Sequence, residues 1–309
     1  MYKIIYAGTP EFALPALRAL ADSEHQVAAV YTQPDRPAGR GQKLCPGPVK
    51  AFALERQLTV CQPQDFKTGA AVATLQEFEA DLMIVAAYGL LLPASVLTAP
   101  RLGCLNIHAS LLPRWRGASP IQQAILAGDR KTGITLMKMN TGLDTGDIVS
   151  TREVTLDDRW TAGDLHDVLA PLGAQLLVDT LPSLEADMDN AMPQQDINAN
   201  YAPRLTKQQA LLKWNQPADQ IDRQIRAYNP WPVSFTRFNG NNLRIWRAKP
   251  CTSYTPGEPG QVVGQDRQGI YISCLDSVLQ ATEIQLAGKN KWNAEQALNA
   301  RDFIGAQLE

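Results

Sequence analysis

The 309-residue sequence predicts an α/β architecture: a Rossmann-like N-terminal domain with a parallel-rich sheet, then a small C-terminal β-barrel. Three observations carry this. Short β-rich apolar runs alternate with helical patterns through the first half. The central runs are apolar on both faces, as in strands covered by helices on each side. From Thr206 the texture changes to spaced strand candidates with turn residues between them, the pattern of a small antiparallel barrel of OB-like kind. With 45% hydrophobic residues, and 21 Gly and 21 Pro without a period, the chain is neither disordered nor fibrous.

In chain order, KIIYA (3–7) is the first strand and 10–21 the first helix. The turn joining them, AGTPEF, lacks the glycines of GxGxxG that let backbone approach a pyrophosphate, so no dinucleotide cofactor is expected. VAAVY (27–31), LTVCQ (58–62), LMIVAA (82–87) and CLNIH (104–108) supply further strands, with helical patterns near 48–57, 69–80 and 117–128. ITLMKM (134–139) and DIVSTREV (147–154) follow, and a helical stretch from Thr161 to Asp187 closes this half. The expected organisation is a first domain over 1–189, a linker over 190–205 without apolar periodicity, and a second domain over 206–309. In the second domain LRIWRAK, GQVVG, GIYISCL and VLQATEI are the strand candidates.

The N-terminus passes at once into a strand and lacks the order of a secretory signal, so a cytoplasmic protein is expected. Its five cysteines are odd in number, widely spaced and without a CxxC pair, which disfavours a disulfide framework and a structural zinc site. The uncharged segment from Leu82 to Pro100 has bilayer length, but Gly89, Pro93 and Pro100 interrupt it, and it reads better as a buried strand and a turn than as a membrane span. Charge is divided unevenly. Residues 1–203 hold 16 basic and 22 acidic residues, whereas 204–309 hold 13 and 9. Within 204–251 nine basic residues face only Asp219 and Asp222. A basic module beside an acidic one suits nucleic-acid binding, although charge alone fits a solvated surface equally well.

Only three histidines are present: His25 in a turn, His166 on a surface helix, and His108 at a strand end. The period of two in CLNIH sets Cys104, Asn106 and His108 on one face, at the carboxyl end where open α/β sheets bind ligands. Cys104 reads as a small buried apolar residue, having no basic neighbour to activate it. An amide donor beside an imidazole suits acyl transfer, because the pair can hold an oxyanion and move a proton. Downstream, NTGLDTGDIV offers Asp144 and Asp147. Asp147 reads as a turn former and Asp144 as the carboxylate that fixes the His108 tautomer. The longest connection without regular structure, TQPDRPAGRGQKLCPGP (32–48), reads as a mobile basic loop around Arg40.

The run NIHASLLPRWRGASPI (106–121), with GLDTGD (142–147), resembles the folate-dependent formyltransferases. TQPDRPAGRGQKL, AYGLLLP, AYNPWPVSF and the small basic C-terminal domain narrow the resemblance to the branch whose acceptor is methionyl initiator tRNA, and it covers essentially the whole chain. It implies formyl transfer from 10-formyltetrahydrofolate, with tetrahydrofolate released and no metal. Asn106, His108 and Asp144 would be catalytic, and Ser110, Leu111, Leu112 and Pro113 would line the folate site. Arg40, Lys43, Lys207 and Lys249 would contact tRNA. A monomer, without membrane attachment, meets these needs. Two other readings remain: a formyltransferase acting on a small amine such as a nucleotide sugar, and a tRNA-binding module without activity.

Overall fold

Strand β1 (Lys3–Gly8) is buried from Ile4 to Ala7, as a strand covered on both faces must be. This computed structural model describes residues 1–38 and 43–309. They form two units: Met1–Pro120, Lys131–Thr155 and His166–Ala202 make the first, and Ile121–Arg130, Leu156–Leu165 and Pro203–Glu309 the second. After β1 come α1 (Leu14–Ala21), β2 (Gln26–Tyr31), β3 (Arg36–Ala38), β4 (Lys43–Cys45), α2 (Pro48–Glu55) and β5 (Val60–Cys61). Next are α3 (Gly69–Gln76), β6 (Leu82–Ala86), α4 (Ala94–Leu97), β7 (Cys104–His108), β8 (Arg116–Gly117), α5 (Pro120–Ala127) and β9 (Lys131–Lys138). Then follow β10 (Ile148–Thr155), α6 (Ala162–Thr180), α7 (Leu184–Asp189) and β11 (Tyr201–Ala202).

The main sheet has the order β10, β9, β7, β6, β1, β2, β5. The five strands from β7 to β5 run parallel, and β9 and β10 are antiparallel additions at the β7 side. Because the chain leaves β1 for β2 and β5, then returns to its other flank at β6, the strand order reverses between β1 and β6. Carboxyl ends of strands near such a reversal form a crevice for ligands, and β7 ends one strand away. Alternate residues Ile5, Ala7, Met83, Val85 and Cys104 pack on one face with Phe66, Leu75, Val96 and Leu97. Helix α6 approaches β7 closely: a Cβ on Gly173 would lie 2.8 Å from Ile107 Cγ2. The segment 82–100, apolar enough for a membrane in length, is instead β6, a turn and α4, and no helix among the described residues is long and apolar enough to cross a membrane.

Two stretches differ from their reading in sequence. The 32–48 connection is not without regular structure: β3 and β4 pair antiparallel, Arg36 opposite Cys45 and Ala38 opposite Lys43. Lys50 on α2 ties its base by bonds of 2.6 Å to Asp35 and 2.7 Å to Gln62, and the lysine ammonium holds the Asp35 carboxyl below its usual range. Composition marked the prolines and glycines but not this distant cross-tie. Arg40 lies outside the described residues, and Lys43 is described in its backbone alone. Residues 190–202, part of the expected linker, are hydrogen-bonded to the first unit: Met192 pairs with Ile148, and β11 lies parallel to β8.

The second unit contains α8 (Ala218–Ala227), β12 (Phe235–Phe238), β13 (Asn241–Cys251), β14 (Val262–Asp266), β15 (Gly269–Ser273), β16 (Val278–Leu286), β17 (Trp292–Asn293) and α9 (Ala294–Ala300). Its sheet, β12, β13, β16, β15, β14, is antiparallel throughout, with β17 on β16. The last residues join its two edges. Leu308 N donates to Gly260 O and Gly305 N to Val262 O beside β14, while Glu309 and Arg237 exchange backbone bonds on β12. That strap makes the sheet barrel-like and leaves fewer open edges. The interior holds Ile221 and Ile225 of α8, Leu243, Ile245, Ile270, Ile272, Leu279 and Leu308.

Leu308 is 2% exposed within this core. Leu308→Ala should therefore cost about 2–5 kcal/mol, the range for a buried leucine truncation, read as a lowered urea midpoint. An unchanged midpoint would show that the strap contributes nothing to closure.

Candidate active site

β7 carries Asn106 and His108 to the carboxyl edge of the sheet, and the chain then doubles back through residues 109–117 to β8. The loop is held from within. Ser110 Oγ donates to Arg114 O at 2.6 Å, and Thr135 Oγ1 on β9 donates to Ser110 O at 2.7 Å while accepting from Leu112 N at 3.1 Å. The Leu112–Pro113 peptide is cis, and Trp115 adopts φ +66°. The Arg114 guanidinium lies 4.1 Å over the Trp115 ring. The Trp115 carbonyl turns back toward β7.

That carbonyl decides the histidine. His108, 5% exposed, has Nε2 at 2.9 Å from Trp115 O. A carbonyl only accepts, so Nε2 carries the hydrogen, and Nδ1 of the neutral ring presents a lone pair. Nδ1 faces Asp144 Oδ2 at 3.7 Å, beyond a hydrogen bond. The reading that Asp144 fixes the tautomer is therefore corrected: a main-chain carbonyl fixes it. Two acceptors stand opposite each other, an arrangement satisfied by a donor placed between them or by a proton on Nδ1. Asn106 Nδ2 reaches Asp144 Oδ1 at 3.4 Å, the long end of the range. Asn106, His108 and Asp144 thus converge, although Asn106 and Asp144 stand 38 residues apart along the chain.

Asp144 sits in the turn between β9 and β10 with φ +51°, a left-handed conformation that Asp tolerates better than most residues. Its Oδ2 accepts from Gly117 N at 2.8 Å. Gly117 has φ +114°, and a Cβ there would lie 2.7 Å from Ala202 O. Two residues beyond Asp144, a Cβ on Gly146 would sit 1.6 Å from Lys138 O, so the turn closes only with glycine. Asn140 Oδ1 accepts from Gly142 N at 2.9 Å and Thr145 Oγ1 at 2.8 Å, and Asp147 contributes its carbonyl to Lys138 N. Sequence reasoning missed Trp115 O, Gly117 N and Thr135. The only sequence signal was the glycine that ends RWRG.

The remaining candidates separate. Cys104 is buried, its thiol points at the Val96 and Leu97 carbonyls, and burial pushes it up to about 12, so it packs and does not attack. His25 accepts from Tyr2 N and stacks on Tyr2, and burial lowers it. His166 pairs with Asp167. Ser110 and Leu112 are buried and Leu111 and Pro113 half-buried, with the Ser110 hydroxyl committed to the loop. Lys207 and Lys249 are exposed on the second unit. Of the cations in 204–251, Arg226 bonds Asp222 at 2.7 Å and Arg247 lies 3.7 Å from Glu283, so part of that charge is neutralised. Among the described residues no three His, Cys, Asp or Glu side chains are grouped as metal ligands.

Residues 2–181 match the formyl transferase family, and residues 204–302 match the formyl transferase C-terminal domain. The chain is 49% identical over 298 residues to the methionyl-tRNA formyltransferase of Coxiella burnetii (strain RSA 331 / Henzerling II), covering 96% of this chain and 95% of that one. It is 47% identical over 306 residues to the methionyl-tRNA formyltransferase of Methylococcus capsulatus (strain ATCC 33009 / NCIMB 11132 / Bath), covering 99% of each. Among solved structures it is similar to the sugar 3N-formyl transferase WlaRD determined with dTDP and 5-N-formyl-THF. That pair has a TM-score of 0.65 and 20% identity over 94% of this chain and 99% of the other. HypX from Aquifex aeolicus, solved with tetrahydrofolic acid, superposes with a TM-score of 0.63 and 17% identity, covering 95% of this chain and 46% of that one. At those identities the structural likeness speaks for the fold.

The thiols give a direct test of the geometry. Iodoacetamide on the native protein at pH 8.5 should label exposed Cys45 and spare Cys104 and Cys274, both buried and both pushed up to about 12. Rapid modification of Cys104, read by mass spectrometry, would contradict its packing.

Proposed function

The chain belongs to the formyl transferase family, among its methionyl-tRNA formyltransferases, and from that premise we propose that it transfers a formyl group from 10-formyltetrahydrofolate to the α-amino group of methionyl initiator tRNA. The observation that carries the chemistry is the convergence of Asn106, His108 and Asp144 at the carboxyl edge of β7. The reading takes the enzyme to act as a monomer in the cytoplasm.

Each residue has a part that its geometry supports. His108 Nδ1, with its lone pair facing Asp144 Oδ2, accepts the proton that the amine loses as its nitrogen attacks the formyl carbon. The imidazolium so formed is stabilised by the Asp144 carboxylate and by Trp115 O, and its new Nδ1–H becomes a donor. Asn106 offers its amide hydrogens to the formyl oxygen as charge develops there. When the bond from the formyl carbon to the folate nitrogen breaks, the proton passes from His108 to that nitrogen, directly or through water. Ser110, Leu111, Leu112 and Pro113 flank this edge and provide backbone and apolar contact for the folate. Arg40, Lys43, Lys207 and Lys249 serve the phosphates of the tRNA, holding it in place without reading sequence.

A formylation assay offering methionyl initiator tRNA, free methionine and a nucleotide-sugar amine tests the acceptor. Preference for the charged tRNA is expected, and equal use of free methionine would reject it. No product with any acceptor would favour a binding module. Asp144→Asn should keep folate binding and lose about two or more decades of rate, and a wild-type rate would remove Asp144 from the mechanism.

For the tRNA surface, Lys207→Ala should weaken tRNA use and reduce the slope of log affinity against log salt by about 0.7–0.9 for each phosphate that is no longer neutralised. An unchanged slope would place Lys207 away from phosphate.

A further inference from the structure

We infer that Gln194 is a positioning residue for Asp144 and that the buried guanidinium of Arg116 holds Gln194 in its orientation; the inference rests on the role proposed above for Asp144. Gln194 Nε2 donates to Asp144 O at 2.9 Å and to Gly146 O at 2.7 Å. Both partners only accept, so the amide nitrogen must face them. At the other end Gln194 Oε1 accepts from Arg116 Nε at 2.9 Å, and a guanidinium only donates. The amide is oriented from both sides, and turning it over would set like against like at each.

Arg116 is itself fixed. It is 2% exposed, and its second bond runs from Nη2 to Asp196 Oδ1 at 2.9 Å. A charge buried this far is strongly destabilising unless its donors are met, so the guanidinium stays where Gln194 and Asp196 are. The consequence for Asp144 is specific. Its carboxylate is held by Gly117 N, and its main chain is held by Gln194. Both ties lead to β8, the segment whose preceding carbonyl also orients His108. Gln194 therefore helps to set the separation between the Asp144 carboxylate and the imidazole by bracing this left-handed turn from its main-chain side. Displacing a reacting group by about 1 Å can cost on the order of 100-fold in rate, which is the scale on which a positioning residue acts.

Gln194→Glu tests this in the full-length enzyme with methionyl initiator tRNA. The carboxylate keeps the length and the tie to Arg116 but presents only acceptors to two carbonyls. The expected result is a fall in kcat of about 10–100-fold, with KM for tRNA and for the folate donor within about twofold of wild type. Gln194→Met, which removes the donors without adding charge, should give the same split. Combined with Asp144→Asn, either change should cost no further rate, because the group being positioned is gone. Wild-type kcat per folded enzyme in both Gln194 variants, with folded fraction read by circular dichroism, overturns the inference, and so do multiplicative losses in the double variants. Those results leave the Asp144 reading intact, whereas a wild-type rate for Asp144→Asn alone removes that reading and this inference with it.

Discussion

The hydrogen bond from His108 Nε2 to the Trp115 carbonyl is the constraint on which the candidate site depends. It fixes which imidazole nitrogen faces the cleft, and it does so with a group that cannot titrate or rotate. To present that carbonyl, Trp115 must adopt φ +66°, so the chain turns immediately into β8. Gly117 N then points at Asp144 Oδ2. Base and carboxylate are thus each tied to one three-residue segment, and Gln194 braces the turn that carries the carboxylate.

Such a segment must satisfy its own buried polar groups. Thr135, 0% exposed, closes the loop before it by serving Ser110 O and Leu112 N at once. Arg116 meets Gln194 and Asp196, so the desolvation of its charge is offset by charge-assisted bonds. Removing a partner from such a network leaves a buried donor or acceptor unmet, which costs more than the bond contributed. The left-handed residues Trp115 and Asp144 lie between these anchors, where backbone strain is sustained by the surrounding bonds.

The second unit solves a different problem. Its antiparallel strands alternate, so on β13 Leu243 and Ile245 face inward while Arg244 between them is exposed, and Lys249 is exposed beyond the register shifts at Ile245/Arg247 and Arg247/Ala248. A basic surface therefore needs no separate arm, because it is the outer face of a strand whose inner face builds the core. Not all of the positive charge is available. Arg226 is engaged by Asp222, whose carboxyl burial pushes up against the pull of that same arginine, and Arg247 by Glu283. The near-neutral total of −2 thus combines an acidic first region, a basic second region and several internal pairs.

Much of the fold was legible along the chain because hydrophobic periodicity is local. LMIVAA announced a buried strand, CLNIH placed Asn106 and His108 on one face, and the spaced strands after Thr206 announced a barrel. The motif residues also suggested acyl transfer, since an amide, an imidazole and a carboxylate suit it, and it was the resemblance of NIHASLLP with GLDTGD that narrowed this to formyl transfer. The sequence did not contain the pairing of β3 with β4 across 32–48, the anchoring of residues 190–202 through Gln194, Met192 and Tyr201, or the choice of Trp115 O over Asp144 as the partner of His108. Each is a meeting between a side chain or backbone group and a partner whose position is set by the whole sheet. Residue type determined which atoms can donate and accept; only the tertiary structure decided which of them meet, because hydrogen bonds act over about 3 Å and chain proximity does not fix that distance.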